Sequence, residues 1–109
     1  MKTRRTSILL FAAALLLAGC FRNDIRTEVF QVDQIRSAQG AQLAAQALRS
    51  LPGIKEIRTD PENHTCTVVF DGLVLYKKNI EYAFVKAGFD LPHWPAEAAD
   101  KAKLPKELQ

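Results

Sequence analysis

With 109 residues, 48% of them hydrophobic and 25% charged, the chain has room for one small domain with a modest core. Its formal net charge of +3 invites a nucleic-acid or anionic-surface reading. Three of the fifteen basic residues, Lys2, Arg4 and Arg5, precede the first apolar run, and past Cys20 twelve basic residues face twelve acidic ones, so that reading is excluded for the rest of the chain.

Met1 to Arg5 is a basic start. Ile8 to Leu17 is an apolar run, too short for a permanent span, which needs ~20 residues. Leu17-Ala18-Gly19-Cys20 closes it with small residues before a cysteine. This layout resembles the signal and lipobox of bacterial lipoproteins. The resemblance implies that residues 1–19 are removed and that a diacylglycerol is attached to the Cys20 sulfur. The lipid bilayer is then a partner through Cys20, and residues 20–26 form a lipidated N-terminus and tether. The alternative is an ordinary secretory signal with an incidental cysteine. Arg4-Arg5 suggests a twin-arginine signal, but Ser7 stands where that signal has an apolar residue, which favours general export. The expected location is the extracytoplasmic side of the cell envelope. Phe21 after Cys20, in place of a retaining aspartate, favours the outer membrane in a cell with two. With Cys20 lipidated, Cys66 is left alone and no intramolecular disulfide forms.

Thr27 to Val32 is rich in β-formers and reads as a first strand. Ser37 is placed to cap a helix whose apolar stripe is Ala41, Ala44, Ala45, Leu48 and Leu51, ended by Pro52-Gly53. Ile54 to Thr59 is a second strand, and Asp60-Pro61-Glu62-Asn63 a turn. Thr65 to Phe70 is a third strand with Cys66, Val68 and Phe70 on one face. A second helix runs from Lys77 to Ala87, with Gly88 as its left-handed cap. Phe89-Asp90-Leu91 reads as a brief final strand, limited by Pro92. The domain is assigned to residues 27–91, and residues 92–109 to a Pro/Trp segment and a mobile charged tail. The order β-α-β-β-α-β predicts an α+β, ferredoxin-like sandwich: a four-stranded antiparallel sheet with two helices on one face.

From about Glu28 to Phe89, this order and spacing resemble heavy-metal-associated domains. Leu48, Leu51-Pro52-Gly53-Ile54, Ile57, Val68 and Phe70-Asp71 stand at that family's helix, turn and strand positions, and Ala87-Gly88-Phe89 at its ending. The resemblance implies Cu, Zn or Hg handling through Met-x-Cys-x-x-Cys at the start of the first helix. Its methionine falls on Ile35 and its cysteines on Ser37 and Gly40. Both thiolates that hold a soft metal are therefore missing. Ser37→Cys with Gly40→Cys is expected to restore a Cu(I) site if the family geometry is kept.

Other ligand candidates are few. His64 and Cys66, two apart, could face the same way, but two ligands do not close a zinc site. Cys66 stands at a core position, and His93 is isolated between Pro92 and Trp94. Trp94 is either a plug over the core or a contact for a partner or for lipid headgroups. No paired carboxylates or Ser-His-Asp set argue for an enzyme. Nor are there exposed aromatics on central strands to bind RNA. The expected function is a membrane-anchored binding module related to heavy-metal handling, with a degenerate metal site and no confident cofactor. The alternative is an interaction or structural lipoprotein that reuses the fold. The envelope partner is unknown, and no nucleic acid is expected.

Overall fold

A computed structural model describes residues 24–109. Cys20 and the signal-like segment lie outside the described residues. Strand β1 (Ile25–Gln31) leads to helix α1 (Ala38–Arg49), strands β2 (Ile54–Asp60) and β3 (Thr65–Asp71), and helix α2 (Lys77–Lys86). A short helix α3 (Ala98–Lys101) and a 3-10 turn (Lys106–Leu108) complete the chain.

The sheet is antiparallel, in the order β1-β3-β2. Phe30 faces Cys66 and Glu28 faces Val68 across the β1–β3 pair, while Ile57 faces Val68 across the β2–β3 pair. Period-two alternation therefore puts Phe30, Cys66, Val68 and Phe70 on one buried face. Both helices cover that face with Ala41, Ala44, Leu48, Ile80 and Phe84. Phe84 lies 5.6 Å from the Phe30 ring and 6.2 Å from Phe89, centroid to centroid. Each buried ring or branched side chain contributes about 1.5–3 kcal/mol relative to an exposed one.

The helix punctuation follows the sequence. The Ser37 hydroxyl accepts from the Gly40 amide at 3.2 Å, satisfying one first-turn donor. Asn79 accepts from the Tyr76 amide at 3.0 Å at the start of α2. Gly88, at φ +101°, ends α2 in the left-handed region.

The expected fourth strand is a correction: Phe89-Asp90-Leu91 forms none, and the sheet of the described residues has three strands. The physical cause is Asp90. Its amide donates to Gln34 Oε1 at 2.9 Å, and its carboxylate accepts from Gln34 Nε2 at 2.9 Å and from the Ala96 amide at 2.8 Å. The chain then reverses at Pro92 through a single bridge between Leu91 and Trp94. One backbone–backbone hydrogen bond, Asp33 amide to Asp90 carbonyl at 3.4 Å, also links this segment to the exit of β1.

The tail is also better packed than expected. Leu104 and Leu108 join the core. Lys103 Nζ reaches the Asp100 carboxylate at 2.9 Å and the Lys86 carbonyl at 3.1 Å, docking α3 on the end of α2.

Candidate functional site

The residues expected at the metal-ligand positions, Ile35, Ser37 and Gly40, lie at the N-terminus of α1, and His64 reaches the Ile35 carbonyl there. Ile35, at the methionine position, is fully buried in the core. Ser37 is occupied as the cap. Gly40 is buried, and a Cβ built on it would overlap the Gln34 carbonyl oxygen and lie 3.5 Å from Leu108 Cδ2. A backbone carbonyl therefore fills the space of a side chain at position 40, with the tail's leucine in van der Waals contact beside it. This corrects the expectation that two cysteines would restore the site: position 40 has no room for a side chain unless the Gln34 segment moves.

Gln34 causes that closure. Its side chain is completely buried and clamps Asp90, fixing the bend between β1 and α1. Arg36 braces the same bend. Its guanidinium pairs with Asp33 Oδ2 at 2.9 Å and donates to the Asp33 carbonyl at 3.0 Å and the Glu107 carbonyl at 3.5 Å. The tail is thereby tied across the helix start.

His64 does not lie on the third strand beside Cys66. It sits before it, at φ +56°, a conformation costly for a residue with a Cβ. Its Nδ1 lies 2.9 Å from the Ile35 carbonyl oxygen. A carbonyl only accepts, so Nδ1 carries the proton and donates. Cys66 points into the core at 0% exposure, and burial pushes its thiol up to about 11. At neutral pH it is a protonated, sealed hydrophobe. His64 and Cys66 therefore do not converge.

A cavity of about 280 Å³ lies between the end of β1 and the Asp90–Pro92 segment, lined by Gln31, Asp33, His64, Asp90, Leu91 and Pro92. Its acids are already engaged, Asp33 with Arg36 and Asp90 with Gln34, Ala96 and Lys101, the last at 2.7 Å. Burial pushes the Asp90 carboxyl up, but the hydrogen bonds from Lys101, Ala96 and Gln34 outweigh it and hold the group below the usual carboxylate range. Among the described residues, no group of three His, Cys, Asp or Glu side chains could hold a metal ion.

His93 follows Pro92 but does not line this cavity. It pairs with Glu81, a carboxylate only 3% exposed on α2. Trp94 packs against the core edge, with the Tyr82 ring at 6.2 Å and the Lys78 ammonium 5.9 Å from its centroid. Trp94 is half-buried there, beside the exposed Tyr82. Sequence reasoning missed Gln34, Glu81, Asp90 and Leu108. Only Leu108 had a signal, its four-residue spacing from Leu104 in a charged stretch.

No protein-family model and no curated protein matches the sequence. Solved structures match the fold. Oxidized MerP from Ralstonia metallidurans CH34 superposes with a TM-score of 0.57 at 17% identity, over 60% of this chain and 90% of that one. A protein from Bacillus anthracis str. Ames, named for copper-ion binding, gives 0.59 at 18% identity, over 64% and 99%. The fold is MerP-like. The likeness is one of fold, to the heavy-metal-associated type, and the sheet of the described residues has three strands.

Proposed function

We propose that this chain is a membrane-anchored binding module of the heavy-metal-associated fold that carries no metal of its own at α1. It works by contact with an envelope protein in a heavy-metal handling system, not by catalysis. The observation that carries this reading is the carbonyl of Gln34 against Gly40. The kinship of fold with MerP and a copper-named protein supports the metal-handling context. The sequence run ending at Cys20 supports the anchor. So does a patch of exposed apolar side chains, Leu73, Val74 and Tyr76, beside Asp24, from which the chain leads back to Cys20. Such a patch suits a bilayer surface. The outer membrane is the favoured location in a two-membrane cell.

The test is competition of the full-length chain, in detergent, against a chromophoric Cu(I) or Zn(II) chelator. The expected result is no more than weak surface binding. Tight stoichiometric binding by the wild type would overturn the reading.

A further inference from the structure

Among the described residues no fourth strand covers β1, and the residues along that edge are self-complementary. Val32 donates to the His64 carbonyl at 2.8 Å, and Gly72 donates to the Asp24 carbonyl at 2.7 Å. Both pairs continue the β1–β3 register of Phe30 on Cys66. Even-numbered residues of β1 therefore turn their amides and carbonyls toward β3. Alternation turns those of Ile25, Thr27, Val29 and Gln31 outward. Among the described residues, no non-ladder hydrogen bond engages these four residues' backbone groups. Beside Gln31 stands the Asp90–Pro92 segment, across the cavity, so the free stretch is Ile25 to Val29. Ile25 and Val29 are also 49% and 61% exposed on the face away from the helices. An edge strand with unpaired backbone and exposed β-branched residues is a template for another strand.

We infer that the occupant is a second copy of this chain, joined antiparallel along β1 about a two-fold axis at Thr27. In that register Ile25 lies opposite the second copy's Val29, and Arg26 opposite the second copy's Glu28. Symmetry repeats both pairings. Thr27 meets Thr27, and the outward amides and carbonyls of Ile25, Thr27 and Val29 close a ladder. The next symmetric registers are disfavoured. One places Glu28 on Glu28 and Arg26 on Phe30, and the other places Arg26 on Arg26 and Glu28 on Asp24. Like charges directly opposite destabilise a strand pair, so the sequence Ile25-Arg26-Thr27-Glu28-Val29 selects one alignment. The present partners of these charges do not compete strongly. Arg26 pairs with Asp24 at 2.9 Å and Glu28 with Lys77 at 3.7 Å, all with exposed side chains. The result is an isologous dimer with one continuous six-stranded sheet. It does not depend on whether the α1 site takes metal.

The test uses the full-length chain in detergent micelles, with mass by sedimentation across a concentration series and hydrogen exchange read at single amides. The wild type should dimerise with rising concentration, and the amides of Ile25, Thr27 and Val29 should become protected in step. Arg26→Glu and Glu28→Arg should each raise the dimer dissociation constant roughly tenfold or more, because each places two like-charge pairs in the seam. The combination of both should restore it, since the charges are only exchanged. Thr27→Pro removes an outward amide that β3 does not use, so it should abolish the dimer while the melting temperature holds. If Thr27→Pro unfolds the chain, the charge exchange decides alone. A monomer at every concentration would overturn the proposal, as would a dimer indifferent to the single charge changes or a double change that restores nothing. Edge amides already protected in the monomer would overturn it too, by showing that another segment of the chain covers β1.

Discussion

The carbonyl oxygen of Gln34 occupies the place of a side chain on Gly40. A glycine here is required by a close approach of backbone, and the same approach leaves no room for a ligand side chain at this position. Gly40→Ala should therefore destabilise the fold by roughly 1–3 kcal/mol, as overpacking does. Gly40→Cys should do the same, and Ser37→Cys with Gly40→Cys should lose stability before it gains tight Cu(I) binding. Paired thermal melts and chelator competition read both effects. A double variant as stable as the wild type that binds Cu(I) tightly would show that the Gln34 segment yields readily.

Phe70 is 1% exposed at the end of the core-facing row of β3. Phe70→Ala should cost roughly 3–5 kcal/mol, a large share of the stability of a domain this small. An unchanged melt would mean that the row does not face the core in solution.

The readable parts of this fold are those governed by local periods. Cys66, Val68 and Phe70 alternate, Ser37 precedes an apolar stripe, and Gly88 follows one, so strand, cap and stop were legible without the tertiary structure. Phe89-Asp90-Leu91 alternates in the same way, yet it is no strand. The reason is Gln34, 56 positions earlier, which captures both the amide and the carboxylate of Asp90. No local window contains that competition. The place of Ser37 and Gly40 at the start of the first helix was legible as well. The closure of the site was not, because it depends on a carbonyl direction and on Leu108 returning from the far end of the chain. Charged neighbours around Leu104 and Leu108 made a packed segment read as a free tail.

Leu108 offers a direct check on that tail. It is 3% exposed, and its side chain lies beside Gly40. Leu108→Ala should lower stability by about 2 kcal/mol or more. Removing residues 106–109 should do at least as much and should speed amide exchange at the start of α1. If truncation leaves both melt and exchange unchanged, the tail does not cover the helix start.

The anchor is tested at Cys20. Intact-mass analysis of the protein from native membranes should show a diacylglycerol adduct on a chain beginning at Cys20. Cys20→Ala should abolish the adduct and leave an uncleaved or missorted precursor. A mature chain without lipid would reduce the N-terminus to an ordinary export signal.

Asp90 sets an acid limit on the fold. Its carboxyl is held below the ordinary value, so the folded state binds its proton less readily than the unfolded chain does. The sign follows directly. The stabilisation is fully present above the unfolded value, near ~3.9, and is lost as pH falls through the lower folded value. Protonation removes the ion pair with Lys101 and weakens acceptance from Gln34 and Ala96, the bonds that hold the Asp90–Ala96 reversal against the start of α1. Asp90→Asn should lower stability at neutral pH, since Lys101 loses its charged partner. It should also flatten the decline of stability below about pH 4, because the titrating group is gone. Denaturant midpoints measured across that range for both proteins give the comparison. Parallel acid limbs in the two would show that Asp90 does not contribute to the acid sensitivity of the fold.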